Sequence, residues 1–190
     1  AFEVVDDKRD FNFSSLSNTN PENIYADFDT STSVPGTYKL SVSQLAQNDS
    51  IRSSAVSSQT ADQNGTSAAT VVIQVGTGTA TTLTLAASST SLDDLVTGIN
   101  NLDIDVTARV VEVSTGSYRV VVEGPQGADN ALTITDSVFG ITTDTTAATY
   151  SSSSRTQAAQ NATITVNGLT VSRSSNEVDD LVPGLKLDLM

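Results

Sequence analysis

The sequence predicts a mainly β fold with a minor helical part: two small β-rich domains, one inserted in the other. Three observations predict it. Short runs of alternating apolar and polar residues recur along the chain, as in 38–43, 71–75, 118–122 and 162–166. A single stretch, 91–101, has helical spacing instead. Two Ser/Thr-rich connections bracket a central block of about 57–154, and each flank is too small to fold alone. The expected layout is a discontinuous outer β domain, 1–56 plus 155–190, with an inserted domain at 57–154.

The elements follow in order. Residues 1–33 read as irregular, with Asn20-Pro21 as a turn. After Pro35-Gly36, Tyr38, Leu40 and Val42 alternate with Lys39, Ser41 and Ser43, a half-buried strand. Residues 48–69 are poor in apolar side chains and read as a long loop or interdomain connection. Val71, Ile73 and Val75 form a strand, 76–79 turns it, and Leu83 and Leu85 lie on the returning strand. Ser91 is suited to cap a helix, with Asp94 three residues on as its reciprocal partner. Leu92, Leu95, Val96 and Ile99 make one apolar stripe, the core face of that helix, and Asn100-Asn101 ends it. Strands at 106–113 and 118–122 flank a turn at 114–116. A loop at 124–130 leads to a short strand at Leu132 and Ile134, and 142–156 is the second polar connection.

The closing segment begins with a strand carrying Ala162, Ile164 and Val166, then the turn Asn167-Gly168, then Leu169 and Val171. Asn176 reads as the cap of one helical turn with Val178, Leu181 and Val182, stopped by Pro183-Gly184. Leu185, Leu187 and Leu189 form a last strand.

Composition excludes much chemistry. The chain has 22 acidic and nine basic residues, a formal net charge of −13. Such a surface repels phosphate backbones and anionic lipid, so neither nucleic acid nor a membrane is expected as partner. No apolar run approaches a membrane span, and 1–10 is not a signal peptide. There is no cysteine and no histidine. Disulfides, thiolate chemistry, the usual zinc ligands and His-dependent nucleophiles are therefore all excluded. Gly76-Thr77-Gly78 lacks the later residues of a phosphate-binding loop and reads as a hairpin turn. Carboxylates remain as ligands: Asp27 with Asp29, and Asp6, Asp7 with Asp10. None sits in a complete calcium-loop pattern, and a solvated acidic face is the expectation. Sugar platforms are scarce, with no Trp and four Tyr. Tyr38 and Tyr118 occupy apolar strand positions and read as packing residues, and the sequon at Asn161 is too short to argue from. No catalytic residue, cofactor site or metal site is expected, and the chain is not read as an enzyme.

Four segments, in order, resemble one family. These are GTYKLSVSQLAQ at 36–47, SLDDLVTGINN at 91–101, GSYRV at 116–120 and the close NATITVNG…SSNEVDD…PG at 161–184. The set resembles the outer domains of the bacterial flagellar filament cap protein family, also called hook-associated protein 2. That resemblance implies a structural component at the flagellum tip that helps exported flagellin subunits assemble. Its implied partners are flagellin and, for the full-length protein, further copies of itself in a ring, with this fragment alone expected to be mainly monomeric or weakly associated. It also implies an extracellular site reached through the flagellar export channel, and a chain that is a fragment lacking the helical legs. The alternative is an extracellular adhesin-type β domain, stabilised by calcium. The helix in the central block and the absence of a regular period argue against it.

Overall fold

The computed structural model describes residues 24–29, 32, 37–141, 143 and 154–190. The Asn20-Pro21 turn, Asp6, Asp7 and Asp10, Pro35-Gly36 and most of the 142–156 connection lie outside these residues. In chain order the strands are β1 (Ile24–Phe28), β2 (Leu40–Gln44), β3 (Asn48–Arg52), β4 (Ala69–Val75) and β5 (Thr81–Leu85). The helix α1 (Leu92–Asn100) comes next, then β6 (Thr107–Ser114), β7 (Ser117–Gln126), a 3₁₀ turn (Ala128–Asn130) and β8 (Leu132–Asp136). The chain closes with β9 (Arg155–Gln157), β10 (Ala162–Val166), β11 (Leu169–Arg173), β12 (Glu177–Val178) and β13 (Leu185–Leu189).

The chain divides into two compact units, Ala1–Leu45 with Ala162–Met190, and Ala46–Asn161. Composition alone drew the lines at 56/57 and 154/155. The difference lies in β3 and β9: β9 pairs with β3, and β3 pairs with β7, inside the second unit.

The first unit holds two three-stranded sheets, β1-β13-β12 and β11-β10-β2. β13 is central in its sheet because its alternation leaves Leu185, Leu187 and Leu189 buried on one face, with Lys186 exposed on the other. β10 and β11 join through Asn167-Gly168, both at positive φ (50° and 87°), the backbone that a two-residue primed turn needs. Asn167 also ties this turn to β2. Its Oδ1 accepts from the Lys39 amide at 2.8 Å, and its own amide donates to the Lys39 carbonyl at 2.9 Å.

The helical turn expected at 176–182 is not formed. Glu177 and Val178 are instead extended as β12, opposite Asp188 and Leu187 of β13. Pro183 limits a helix here to about one turn, too short to hold itself, so pairing with a neighbouring strand satisfies more backbone groups.

The second unit packs two sheets, β6-β7-β3-β9 and β5-β4-β8, around one apolar core. Val71 and Ile73 of β4, Leu132 and Ile134 of β8, Val120 and Val122 of β7 and Ile51 of β3 are all buried there. Helix α1 adds Leu92, Leu95 and Ile99, with Val96 packed at the margin. Its start is as expected: the Asp94 amide donates to Ser91 Oγ at 3.1 Å, and the Ser91 amide donates to Asp94 Oδ2 at 3.1 Å. Gly98 permits a close approach of α1 to β5, since a Cβ there would lie 2.8 Å from Leu83 Cδ2 and 3.3 Å from Leu85 Cδ2. At the far end, the Asn100 side chain bonds the amide and carbonyl of Ala108 at 2.8 and 2.9 Å. It imitates a neighbouring strand and closes that rung of the β6 edge.

Three expectations need correction in this unit. The loop at 48–69 begins as strand β3, central in its sheet, with Ile51 and Asp49 both buried. The loop at 124–130 begins later, because β7 runs on to Gln126. Its Gly124 lies against Leu132, where a Cβ would meet Leu132 Cγ at 2.9 Å. Part of the second polar connection is strand β9. The remaining polar stretch, 57–68, is a loop fastened to the helix start. Asp62 Oδ1 accepts from the buried Thr90 amide at 2.9 Å, and the Asn64 amide donates to Thr90 Oγ1 at 3.1 Å.

Candidate functional site

Asp49 is the least expected charged group in the chain. β3 points it into the second unit, where it is fully buried. Its Oδ2 accepts from the Leu132 amide at 2.7 Å. Its Oδ1 makes no aligned hydrogen bond but faces Arg155 Nε at 3.0 Å, so the ion pair meets its charge. Arg155 Nη2 in turn donates to the Leu132 carbonyl at 2.7 Å. One carboxylate and one guanidinium thus clamp both polar groups of a single β8 residue. The clamp ties β3 and β9 of one sheet to β8 of the other. A charge-assisted contact of this kind, buried on the carboxylate side, fastens one sheet to the other.

Asp136 is also buried and has a similar role. Its carboxylate accepts from the amides of Val138 and Phe139 at 2.6 Å and of Ile141 at 2.9 Å. It folds the chain after β8 so that Phe139 and Ile141 enter the core. The sequence reading passed over Asp49, Arg155 and Asp136. An isolated Asp in a polar stretch carries no signal of its own.

Of the carboxylates singled out as ligands, Asp27 and Asp29 lie among the described residues. Asp27 and Asp29 are exposed, and Asp29 Oδ2 accepts from Thr32 Oγ1 at 3.0 Å. Among the described residues no group of three His, Cys, Asp or Glu side chains could hold a metal ion. Tyr38 and Tyr118 are half-buried, and Tyr118 packs against the core. Asn161 Oδ1 accepts from the Ala128 amide at 2.7 Å. A hollow of about 200 Å³ lies between Ile73, Val75, Gly78, Thr79, Ile104 and Asp105. That is below the roughly 300–1,000 Å³ usual for a small-molecule site, and it holds no converging polar groups. No described helix is long and apolar enough to cross a membrane.

Two surface ion pairs are well formed. Arg109 and Glu123 face each other across β6 and β7 in a two-pronged contact, with Nη1 against Oε2 and Nη2 to Oε1 at 2.9 Å. The hydrogen bond from Arg109, more than its charge, holds the Glu123 carboxyl below the usual range. In the same way Arg173 Nε, 2.8 Å from Asp180 Oδ1, lowers the Asp180 carboxyl.

The described residues thus form two β units, with a polar clamp in the core of the second. The D2-D3 domains of the flagellar cap protein from Escherichia coli superpose on 92% of the chain with a TM-score of 0.80 and 28% identity, and 89% of that structure is covered. The chain has the fold of flagellar cap D2 and D3 domains. The same domains from Serratia marcescens give a TM-score of 0.78 at 28% identity, over 88% of this chain and 92% of theirs. Among curated proteins, flagellar hook-associated protein 2 of Escherichia coli (strain K12) is 28% identical over 174 residues, 88% of this chain and 37% of that protein. Its namesake in Salmonella typhimurium is 29% identical over 137 residues, 69% of this chain and 29% of that protein. The chain therefore spans about a third of the length of the curated relatives it matches. No protein-family model matches it. The resemblance to flagellar cap proteins carried by the four sequence segments is shown, and nothing supports the adhesin alternative.

Proposed function

We propose that this chain forms the outer β-rich part of a flagellar filament cap, a structural component at the growing tip that helps exported flagellin subunits assemble. One observation carries the reading: the fold and order of both units match the cap D2-D3 domains over 92% of the chain at 28% identity. The role is structural rather than enzymatic. Its partners are flagellin and further copies of the whole cap protein in a ring. Its place is outside the cell at the flagellum tip, reached through flagellar export. The acidic, cysteine-free composition suits that route, because no disulfide has to form or be undone in transit.

The test is a chimera in which this chain replaces the D2-D3 domains of a cap protein, expressed in cells lacking their own cap. Filament growth and swimming are the expected result. A chimera that is exported and folded yet leaves flagellin shed into the medium would overturn the reading. The 190-residue chain by itself is expected to leave such cells non-motile.

A further inference from the structure

An asparagine followed by glycine invites self-modification. The glycine nitrogen, with no side chain beside it, can attack the carbonyl carbon of the preceding side chain. The pair occurs twice in this chain, at Asn64-Gly65 and Asn167-Gly168. A Cβ built on either glycine would meet nothing within 4 Å, so neither turn is packed over at its glycine.

The two asparagines are held in opposite senses. Asn64 is tied by its nitrogen: Nδ2 donates to the Ala68 carbonyl at 2.8 Å and to the Ser67 carbonyl at 3.4 Å. Its backbone is fixed too, by its amide to Thr90 Oγ1 at 3.1 Å and by the Ser67 amide on its carbonyl at 3.1 Å. Asn167 is tied by its oxygen. Oδ1 accepts from the Lys39 amide at 2.8 Å, while Nδ2 has no hydrogen-bond partner among the described residues. A donor on the carbonyl oxygen draws charge from Cγ and stabilises the oxyanion formed on attack. An unbonded amide nitrogen leaves readily, whereas one donating to two carbonyls must first give up both bonds. The left-handed backbone at Asn167 (φ 50°) turns the Gly168 nitrogen away from Cγ. Reaction therefore proceeds from brief openings of the exposed hairpin tip. Rotation about the Asn167 Cα–C bond moves Gly168 and leaves the side chain on Lys39.

We propose that Asn167 is a self-modification site that releases the start of β2 from the β10–β11 hairpin. The Gly168 amide loses its proton to water or hydroxide, and its nitrogen bonds to Cγ. The Cγ–Nδ2 bond breaks, and ammonia leaves with a proton from solvent. Water then opens the cyclic imide at either carbonyl, so the net change is water in and ammonia out. Opening at Cγ gives aspartate, which still presents an oxygen to the Lys39 amide. Opening at the main-chain carbonyl gives isoaspartate, which adds a methylene to the backbone. A two-residue primed turn has no place for that atom, and the acceptor moves off Lys39. The inference rests on the chain's own covalent chemistry, separately from the cap reading.

Ageing of the full chain at mildly alkaline pH, folded and in urea, tests it. Trypsin separates the two sites, since cleavage after Arg52, Arg109, Arg155 and Arg173 puts Asn64 in 53–109 and Asn167 in 156–173. Peptide mass reads amide-to-acid conversion, and enzymatic methylation of isoaspartyl carboxylates reads the rearranged product. In the folded chain, 156–173 should convert about tenfold faster than 53–109, the ratio that two lost hydrogen bonds give. In urea the two rates should converge. Asn167→Gly, which keeps a primed turn without the side chain, should remove the fast conversion of 156–173. Asn167→Asp should melt as wild type does, while the isoaspartate-bearing chain should exchange its Lys39 amide with solvent faster. Equal folded rates, faster conversion at Asn64, or no conversion at Asn167 in the folded chain would overturn the inference. So would an isoaspartate-bearing chain whose Lys39 amide stays as protected as before ageing.

Discussion

Asp49 is fully buried, and the Leu132 amide and Arg155 offset its desolvation. Removing the carboxylate strands the Leu132 amide and leaves Arg155 facing a void. Asp49→Ala is expected to lower unfolding free energy by about 3 kcal/mol. Asp49→Leu with Arg155→Met should cost less than the single change, because no orphaned charge remains. Urea unfolding measures both, and a loss under about 1 kcal/mol for Asp49→Ala would show that the clamp is dispensable. Glu123 and Asp180 act at the surface. Their folded carboxyls titrate below the ordinary value, so their stabilisation is present above the unfolded value, near pH 4, and is lost as pH falls through the folded one. Exposed pairs of this kind contribute roughly 0.2–1 kcal/mol. Arg109→Gln should flatten the fall in stability between about pH 5 and pH 2, and a fall as steep as wild type would refute that assignment. Neither buried carboxylate, Asp49 nor Asp136, was legible beforehand. Burial of Asp49 depends on Arg155 and Leu132, both distant in sequence.

At the scale of the element, α1 and the β10–β11 hairpin were readable, because their signals are local. Ser91, Asp94 and the stripe from Leu92 to Ile99 lie within nine residues, and Asn167-Gly168 fixes its turn through its own backbone. Ser91→Ala should lower stability by about 1 kcal/mol, seen as a lower melting temperature with helical signal retained. Gly98→Val should cost more, about 2 kcal/mol or above, since a branched side chain must push back Leu83 and Leu85. An unchanged melting point would mean that α1 can lift away from β5. β3, β9 and β12 were not readable. β3 has a single aliphatic residue, Ile51, and β9 has none. Each is a strand because neighbours supply hydrogen bonds on its edges, not because its own pattern demands it. β12 shows the reverse conflict, where a capping signal at Asn176 lost to pairing with β13.

At the scale of the molecule, the placement of β3 and β9 gives a direct test of where the inserted unit begins and ends. A chain of residues 46–161 should give a dispersed amide NMR spectrum. A chain of 57–154 should not, because it lacks Ile51, Asp49 and Arg155. Equal dispersion from both would put the boundary back at the polar connections. The whole chain should also melt at the same temperature with calcium and with chelator. A shift above about 5 °C, on the order of 1 kcal/mol for a domain of this size, would reveal a bound ion.

The sequence by itself determined the fold class, the helix with its cap, the strand alternation of β4, β7, β10 and β13, and the resemblance to flagellar cap proteins. These are properties of contiguous residues: period, capping spacing, turn chemistry and composition. Only the tertiary structure decided which polar stretches became strands, where the chain passes from one unit to the other, and which charges are buried. It also gathered Arg52, Arg109 and Arg119 on one face. Those outcomes depend on register between strands far apart in sequence, as in the pairing of Ser50 with Gln157. A one-residue slip would send the arginines inward and Ile51 outward, so the buried core sets the register that composes the surface.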